Sequence, residues 1–239
     1  MKSLSLITLM GAALLLTACN FNINTGEKGN GNVVTEERTP TADFTEVRGS
    51  AGLEVYLTQG TENKIVVEAD DNLLKYIETE IEGGKLNIKT SENIGRAESK
   101  KIHVTYKDIN SIEASSGAEV VGNSVIKSQN LSLKSSSGAE LTVEVFAQDI
   151  IAKSSSGSDL KISGRATSLT ADASSGSEID AKNLMVINCN AEASSGAEVT
   201  VNVQEKLETS ASSGGEINYY GSPVSVNSNN SRSGSVNKM

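Results

Sequence analysis

Between about residues 108 and 221, every second residue is apolar or small and the residues between them are mostly polar. A period of two marks strands with one buried face. The alternation is punctuated by a motif written six times: ASSGAEV (114–120), SSSGAEL (135–141), SSSGSDL (154–160), ASSGSEI (173–179), ASSGAEV (193–199) and ASSGGEI (211–217). Its glycines, Gly117, Gly138, Gly157, Gly176, Gly196 and Gly214, lie 21, 19, 19, 20 and 18 residues apart. A strand-rich chain with a repeat near 20 residues predicts a solenoid in which each unit stacks on the last.

Aligned on the glycine, the units fall into columns. Three residues after it stand Val120, Leu141, Leu160, Ile179, Val199 and Ile217. Seven before it stand Asn110, Leu131, Ile150, Leu169, Cys189 and Leu207. Ala or Ser mostly fills the places three before and one after, where bulk would collide inside a tight corner. The glycine can take positive φ at little cost. Each unit reads as strand, Ser-Ser-Gly corner, strand and looser return. The fold class is all-β: a right-handed parallel β-helix of about 20 residues per coil, its hand following the preference of strand crossovers. An antiparallel barrel or sandwich is the alternative, but it needs no same-phase repeat.

Upstream, alternation at Leu53, Val55 and Leu57, then Ile65 and Val67, predicts strands around a turn at Gln59–Asn63. Leu73, Leu74 and Ile77 fit one helical face and predict one short N-terminal helix. Gly83–Gly84 turns into a strand at Leu86–Ile88, and Ser91–Lys101 reads as a mobile polar loop. Residues 30–107 are therefore expected to be N-terminal strands and a short helix capping the β-helix, and residues 108–239 its repeat coils. Gly234 is a candidate for a degraded last unit.

The start of the chain has another character. Lys2 and the apolar run Leu6–Leu16 form a signal peptide, too short to span a bilayer as a stable helix. "LTAC" (Leu16–Cys19) follows it and resembles the bacterial lipobox, so residues 1–19 are expected to be a lipoprotein signal and Cys19 the lipidated residue. Residues 20–29 are polar and read as a tether. Losing Lys2 moves the formal charge from −9 to −10. That balance argues against nucleic acid as a partner. Aromatics are only 3% and Trp is absent, so stacking platforms are poorly supplied. With Cys19 lipidated, Cys189 has no disulfide partner; its column makes it a small core hydrophobe.

Two residues after each glycine stands an acid: Glu119, Glu140, Asp159, Glu178, Glu198 and Glu216. Parity turns this column outward, stacking carboxylates roughly 5 Å apart. Three uses are open: a solubilising face, divalent cations bridged between coils, or a carboxylate pair at retaining-glycosidase spacing. The last needs one acid with a raised pKa, which six equivalent acids do not supply. No catalytic residue, metal or cofactor is assigned.

The stretch FTEVRGSAGLEVYLTQGTENKIVVEADDNLLKYIETEIEGGKLNIKT and the SSGAEV units that follow resemble the head GIN domain family, over about residues 30–238. The resemblance implies a parallel β-helix, a lipoprotein or secreted protein of Bacteroidetes, and adhesion; it brings no catalytic residues. The expected function is that of a lipid-anchored cell-envelope adhesin or interaction scaffold without catalysis. It would sit at the outer membrane and meet a surface glycan or protein. The alternative is a carbohydrate-active enzyme using acids of the ladder.

Overall fold

The computed structural model describes residues 26–231 and 233–239. The chain is all-β, a parallel solenoid of about seven turns. Four long strands make its middle: β11 (Glu140–Ser155), β12 (Asp159–Ser174), β13 (Glu178–Ser194) and β14 (Glu198–Ala211). Each leaves one Ser-Ser-Gly corner, bends round the back of the coil and enters the next corner. Each pairs in parallel with its neighbours, β11 with β12, β12 with β13 and β13 with β14. β8 (Ser111–Ala114), β9 (Glu119–Gly122) and β10 (Ile126–Ser136) precede them; β15 (Glu216–Gly221), β16 (Ser225–Ser228) and β17 (Ser235–Lys238) follow.

Register follows the columns. Leu131, Ile150, Leu169, Cys189, Leu207 and Val226 are successive partners. In the column three after the glycine, each residue from Val120 to Ile217 is fully buried. Side chains of one column thus pack on their own counterparts, and the core is a stack of layers. Burial of Ser135, Ser154, Ser158 and Ser177 at the corners is offset by hydrogen bonds. The Ser135 and Ser154 hydroxyls donate to the carbonyls of Ala139 and Ser158, and that of Ser177 to Ser174.

The first coils are built out of chain order. β1 (Val33–Arg38), β2 (Glu46–Gly49), β3 (Glu54–Gln59), β4 (Lys64–Asp70), β5 (Ile77–Glu82), β6 (Lys85–Thr90) and β7 (Lys100–Tyr106) precede the array. The β2–β3 coil lies between two others. On one side it pairs in parallel with β8 and β9, and on the other with β6 and β7. The chain therefore makes its second coil first, goes out to the end through β4 and β5, and returns through β6–β7. Antiparallel β4 and β1 continue one face beyond β7, and antiparallel β5 continues the other beyond β6.

Two expectations change. The helix predicted at Leu73–Ile77 is a single 3-10 turn, Leu74–Tyr76. Leu73 and Ile77 are buried as expected, but from Ile77 onward the chain pairs with β6, which extends it. The polar loop 91–99 is pinned. Gly95 N–H donates to Glu27 O (2.9 Å), and Glu27 and Gly29 N–H donate to Asn93 O (2.7 Å) and Arg96 O (2.9 Å). Buried Asp70 accepts from the N–H groups of Gly31 (2.8 Å), Glu98 (3.0 Å) and Ser99 (3.0 Å). One carboxylate fastens the N-terminal segment and the loop together.

The last unit exists as β16–β17. Gly234 occupies the column of Gly215, since Ser235 pairs with Glu216, and Gly214 N–H donates to Ser233 O (2.8 Å).

Candidate functional site

The corner carries the site. At six corners Ser and Gly both have positive φ, for example Ser116 at 52° and Gly117 at 71°. Ala118 N–H closes the turn on Ser115 O at 3.1 Å. This φ pattern is that of a type I′ turn. A left-handed non-glycine residue costs about 1–2 kcal/mol, yet each corner accepts one. The stacking explains it. Gly117 N–H donates to Ser137 O, Gly138 to Ser156, Gly157 to Ser175, Gly176 to Ser195 and Gly196 to Ser213, each at 3.1 Å. The turn geometry aims these groups along the solenoid axis, so every corner is bonded to the next.

A seventh corner precedes the six. Ala51 (φ 62°) and Gly52 (φ 67°) adopt the same conformation, and Gly52 N–H donates to Ser116 O at 3.0 Å. Its motif, Gly49–Val55 (GSAGLEV), keeps the glycine and the acid of the repeat, a signal that the six-fold alignment passed over.

The six predicted acids form one column, and Glu54 extends it to seven. Glu54 pairs with Glu119, Glu119 with Glu140, and so through Asp159, Glu178 and Glu198 to Glu216. Lys101 stands before Glu54 and Ser235 after Glu216. Carboxylates about 4.8 Å apart repel by roughly 0.9 kcal/mol in water. The adjacent outward column relieves part of this. Lys161 Nζ donates to Glu140 Oε1 (2.8 Å), and the Asn218 and Asn237 amides donate to Glu198 and Glu216 (each 3.0 Å). In each case the donor comes from the next coil. Opposite Asp159 that place is taken by Asp180, in register with Lys161. Glu178 lies beside both acids, and its carboxyl is pushed up, first by burial and then by Glu198, Asp159 and Asp180. Among the described residues no three His, Cys, Asp or Glu side chains gather as a metal site.

A second outward feature was not read from the sequence. Two creases of about 240 Å³ and 170 Å³ run beside Asn130, Asp149 and Ile151, and beside Ser168, Asn188, Asn190 and Glu208. Asn130, Asp149, Ser168, Asn188 and Lys206 are successive partners, so the two creases share one line along the axis. Amides, hydroxyls and carboxylates line it; Phe146 and Ile187, exposed by 61% and 39%, stand nearby on the same strands. The signal was an outward column at a position where the repeat motif says nothing.

Cys189 is buried, and burial pushes its thiol up to about 12. The thiol is a core group, as its column predicts. Tyr219 is half-buried against the core, and Lys182 lies over the ring of Tyr220 at 4.7 Å. Cys19 falls outside the described residues. No helix among those described is long and apolar enough to cross a membrane.

The family model "Putative auto-transporter adhesin, head GIN domain" matches residues 43–223. Three solved structures show the same fold. A putative adhesin of Bacteroides fragilis superposes with TM-score 0.83 at 19% identity, covering 89% of this chain and 100% of its own. A putative adhesin of Parabacteroides merdae gives 0.71 at 18%, covering 89% and 98%. A putative lipid binding protein of Parabacteroides distasonis gives 0.71 at 18%, covering 89% and 99%. No curated protein matches this chain.

Proposed function

The chain belongs to the head GIN domain family, "Putative auto-transporter adhesin", and from that premise we propose that it is a non-catalytic adhesin, held at the cell envelope by a lipid on Cys19. The observation that carries this reading is the repetition of outward columns at constant register: the acid column offers a carboxylate coil after coil, and the crease a polar side chain of varying type at each coil. Such a surface suits an extended ligand, a surface glycan or a protein strand, that gains affinity by summing weak contacts. Its acids also support the reading. Glu140, Glu198 and Glu216 are held by a lysine and amides of the next coil, and Glu178 is raised by burial and by its neighbours in the same stack of acids. Anchoring is supported by the LTAC motif after the apolar run, and Asn20 after the lipidated Cys19 is compatible with the outer membrane.

Two measurements test this. The full chain expressed in a lipoprotein-processing bacterium is expected to incorporate labelled fatty acid, and Cys19→Ala to abolish it. On a glycan array followed by product analysis, the chain is expected to bind without releasing reducing ends. Release of reducing ends that disappears in Glu178→Gln would replace the adhesin with a hydrolase.

A further inference from the structure

The two ends of the solenoid are finished in opposite ways. At the near end the outermost described strands are β1 and β5, each paired on one side only among the described residues. Both are guarded by charge, β1 by Glu36, Glu37 and Arg38, and β5 by Glu78, Glu80 and Glu82. Arg38 also occupies backbone acceptors there, its guanidinium donating to the carbonyls of Ile77 (2.6 Å) and Leu74 (3.0 Å). At the far end the outermost described strands are β16 and β17, again paired on one side only. Their sequences are SVNS and SVNK, with no acid and a single lysine. Val226 is 43% exposed and Met239 62%. Edge strands are ordinarily protected by charge, proline or a covering element. Among the described residues, one end has that protection and the other lacks it.

We infer that the far end pairs with the far end of a second copy of this chain. The structure favours a like end over other occupants for three reasons. Stacking head to tail would need the guarded β1 and β5 edges, whose acids would be brought into an interface. The far-end strands, in contrast, are neutral or nearly so in a chain of formal net charge −9, so two copies can approach there. They are also self-complementary. β16 runs into the last corner and β17 out of it, both are four residues long, and both place valine second. A two-fold axis through that corner lays β16 antiparallel on β17 of the second copy, and β17 on its β16. An isologous contact of this kind closes on itself and makes a dimer, never a filament. The register that keeps core faces together sets Val226 opposite Val236 of the partner copy, and Asn227 opposite Ser235.

The consequence bears on adhesion, and this part rests on the anchoring proposed above. The N-terminal segment is fastened at the near end by Asp70. The far end lies ten strand spacings away, roughly 48 Å at about 4.8 Å each. Two chains joined at their far ends carry their anchors on opposite sides. The contact therefore bridges two membranes, making the partner in adhesion another copy on a facing surface. A small end-on contact is weak alone, and many copies on two surfaces make it strong.

The test uses the full chain in detergent and in vesicles. The chain carrying Asn227→Cys and Ser235→Cys is expected to oxidise to a disulfide-linked dimer, with each single variant staying monomeric. For this measurement Cys19 is replaced by Ala in every variant, and Cys189 gives no background because it is buried. In sedimentation the unmodified chain is expected to dimerise with rising concentration, and Val226→Lys to lose that dimer at an unchanged melting temperature. A chain that stays monomeric at all concentrations, with no crosslink from the double-cysteine variant, overturns the inference. Vesicles bearing the chain are expected to agglutinate, and those bearing Val226→Lys to stay dispersed. If Val226→Lys vesicles still agglutinate, the contact lies elsewhere and the inference fails. If the crosslinked dimer forms but the chain does not enter vesicles, the far-end contact stands and the anchoring proposal fails.

Discussion

The array from β8 onward and the coils before it reach one cross-section by different means. In the array each coil follows the last in sequence, and its corner is tied to the next by a Gly N–H to Ser carbonyl bond. Upstream, the β2–β3 coil is gripped between coils made later in the chain. A fastening with no counterpart in the array, Asp70, holds the end. Regularity spreads stability over many equal contacts. Out-of-order assembly concentrates it at a few unequal ones, so equal damage should have unequal effects in the two regions.

The largest effect is expected at Asp70. Asp70→Ala strands three N–H groups around a buried site and removes bonds to a charge, at a cost of about 3 kcal/mol or more. Hydrogen exchange should rise first in β1 and loop 91–99, while β12 and β13 stay protected. Equal loss of protection in both regions would erase the contrast. Burial pushes the Asp70 carboxyl up, but the N–H groups of Gly31, Ser99 and Glu98 outweigh it and hold it below the usual range. With the folded value lowered, its contribution is full above the unfolded value of about 3.9 and fades as pH falls through the folded one. Acid should therefore open the near end before the array, and Asp70→Asn should remove that pH dependence, as followed by thermal melts between neutral and acid pH.

A middle-sized effect separates two glycines within the array. At Gly157 an added Cβ meets nothing within 4 Å, so Gly157→Ala should cost only the positive φ, about 1–2 kcal/mol. At Gly164 (φ 109°) the Cβ would run into the carbonyl oxygen of Val145, and Gly164→Ala should cost more than Gly157→Ala in denaturant titrations. Equal costs would mean that the back of the coil is softer than its corner.

The smallest effect is a gain. Glu178→Gln removes a carboxylate crowded by like charges and should stabilise by up to about 0.5 kcal/mol at neutral pH. The sign is fixed by the raised folded value. Ionised Glu178 is disfavoured in the fold, so stability rises as pH falls through that value and the Gln variant lacks this rise. Glu140→Gln, which loses the ion pair with Lys161, should give no such gain. Paired thermal melts distinguish them.

Much of the array was legible because its signal is local and repeated. The column Val120 to Ile217 is buried throughout, and all six acids fall in one line. The unread features are those that local pattern does not carry. Nothing in LEVYLTQ says that it pairs with β7 on one side and β9 on the other, because one alternating strand resembles another. Leu73, Leu74 and Ile77 fit a helical turn and a 3-10 turn equally well over so short a stretch, and pairing with β6 decided the outcome. The positive φ of the corner serines follows from stacking, since one corner alone would favour Asn-Gly. The crease escaped notice because its residues vary in type and only their register unites them.

The corner bonds have a consequence for how such a molecule can change its height. Each coil touches little beyond its two neighbours, and each is bonded to them identically through the corner. Removing or duplicating the 19 residues from Gly157 to Ser175 leaves both ends, the column parity and the turn geometry as they were. The rod can thus be made shorter or taller by about 4.8 Å per coil, while whatever its tip and its base do is left unchanged.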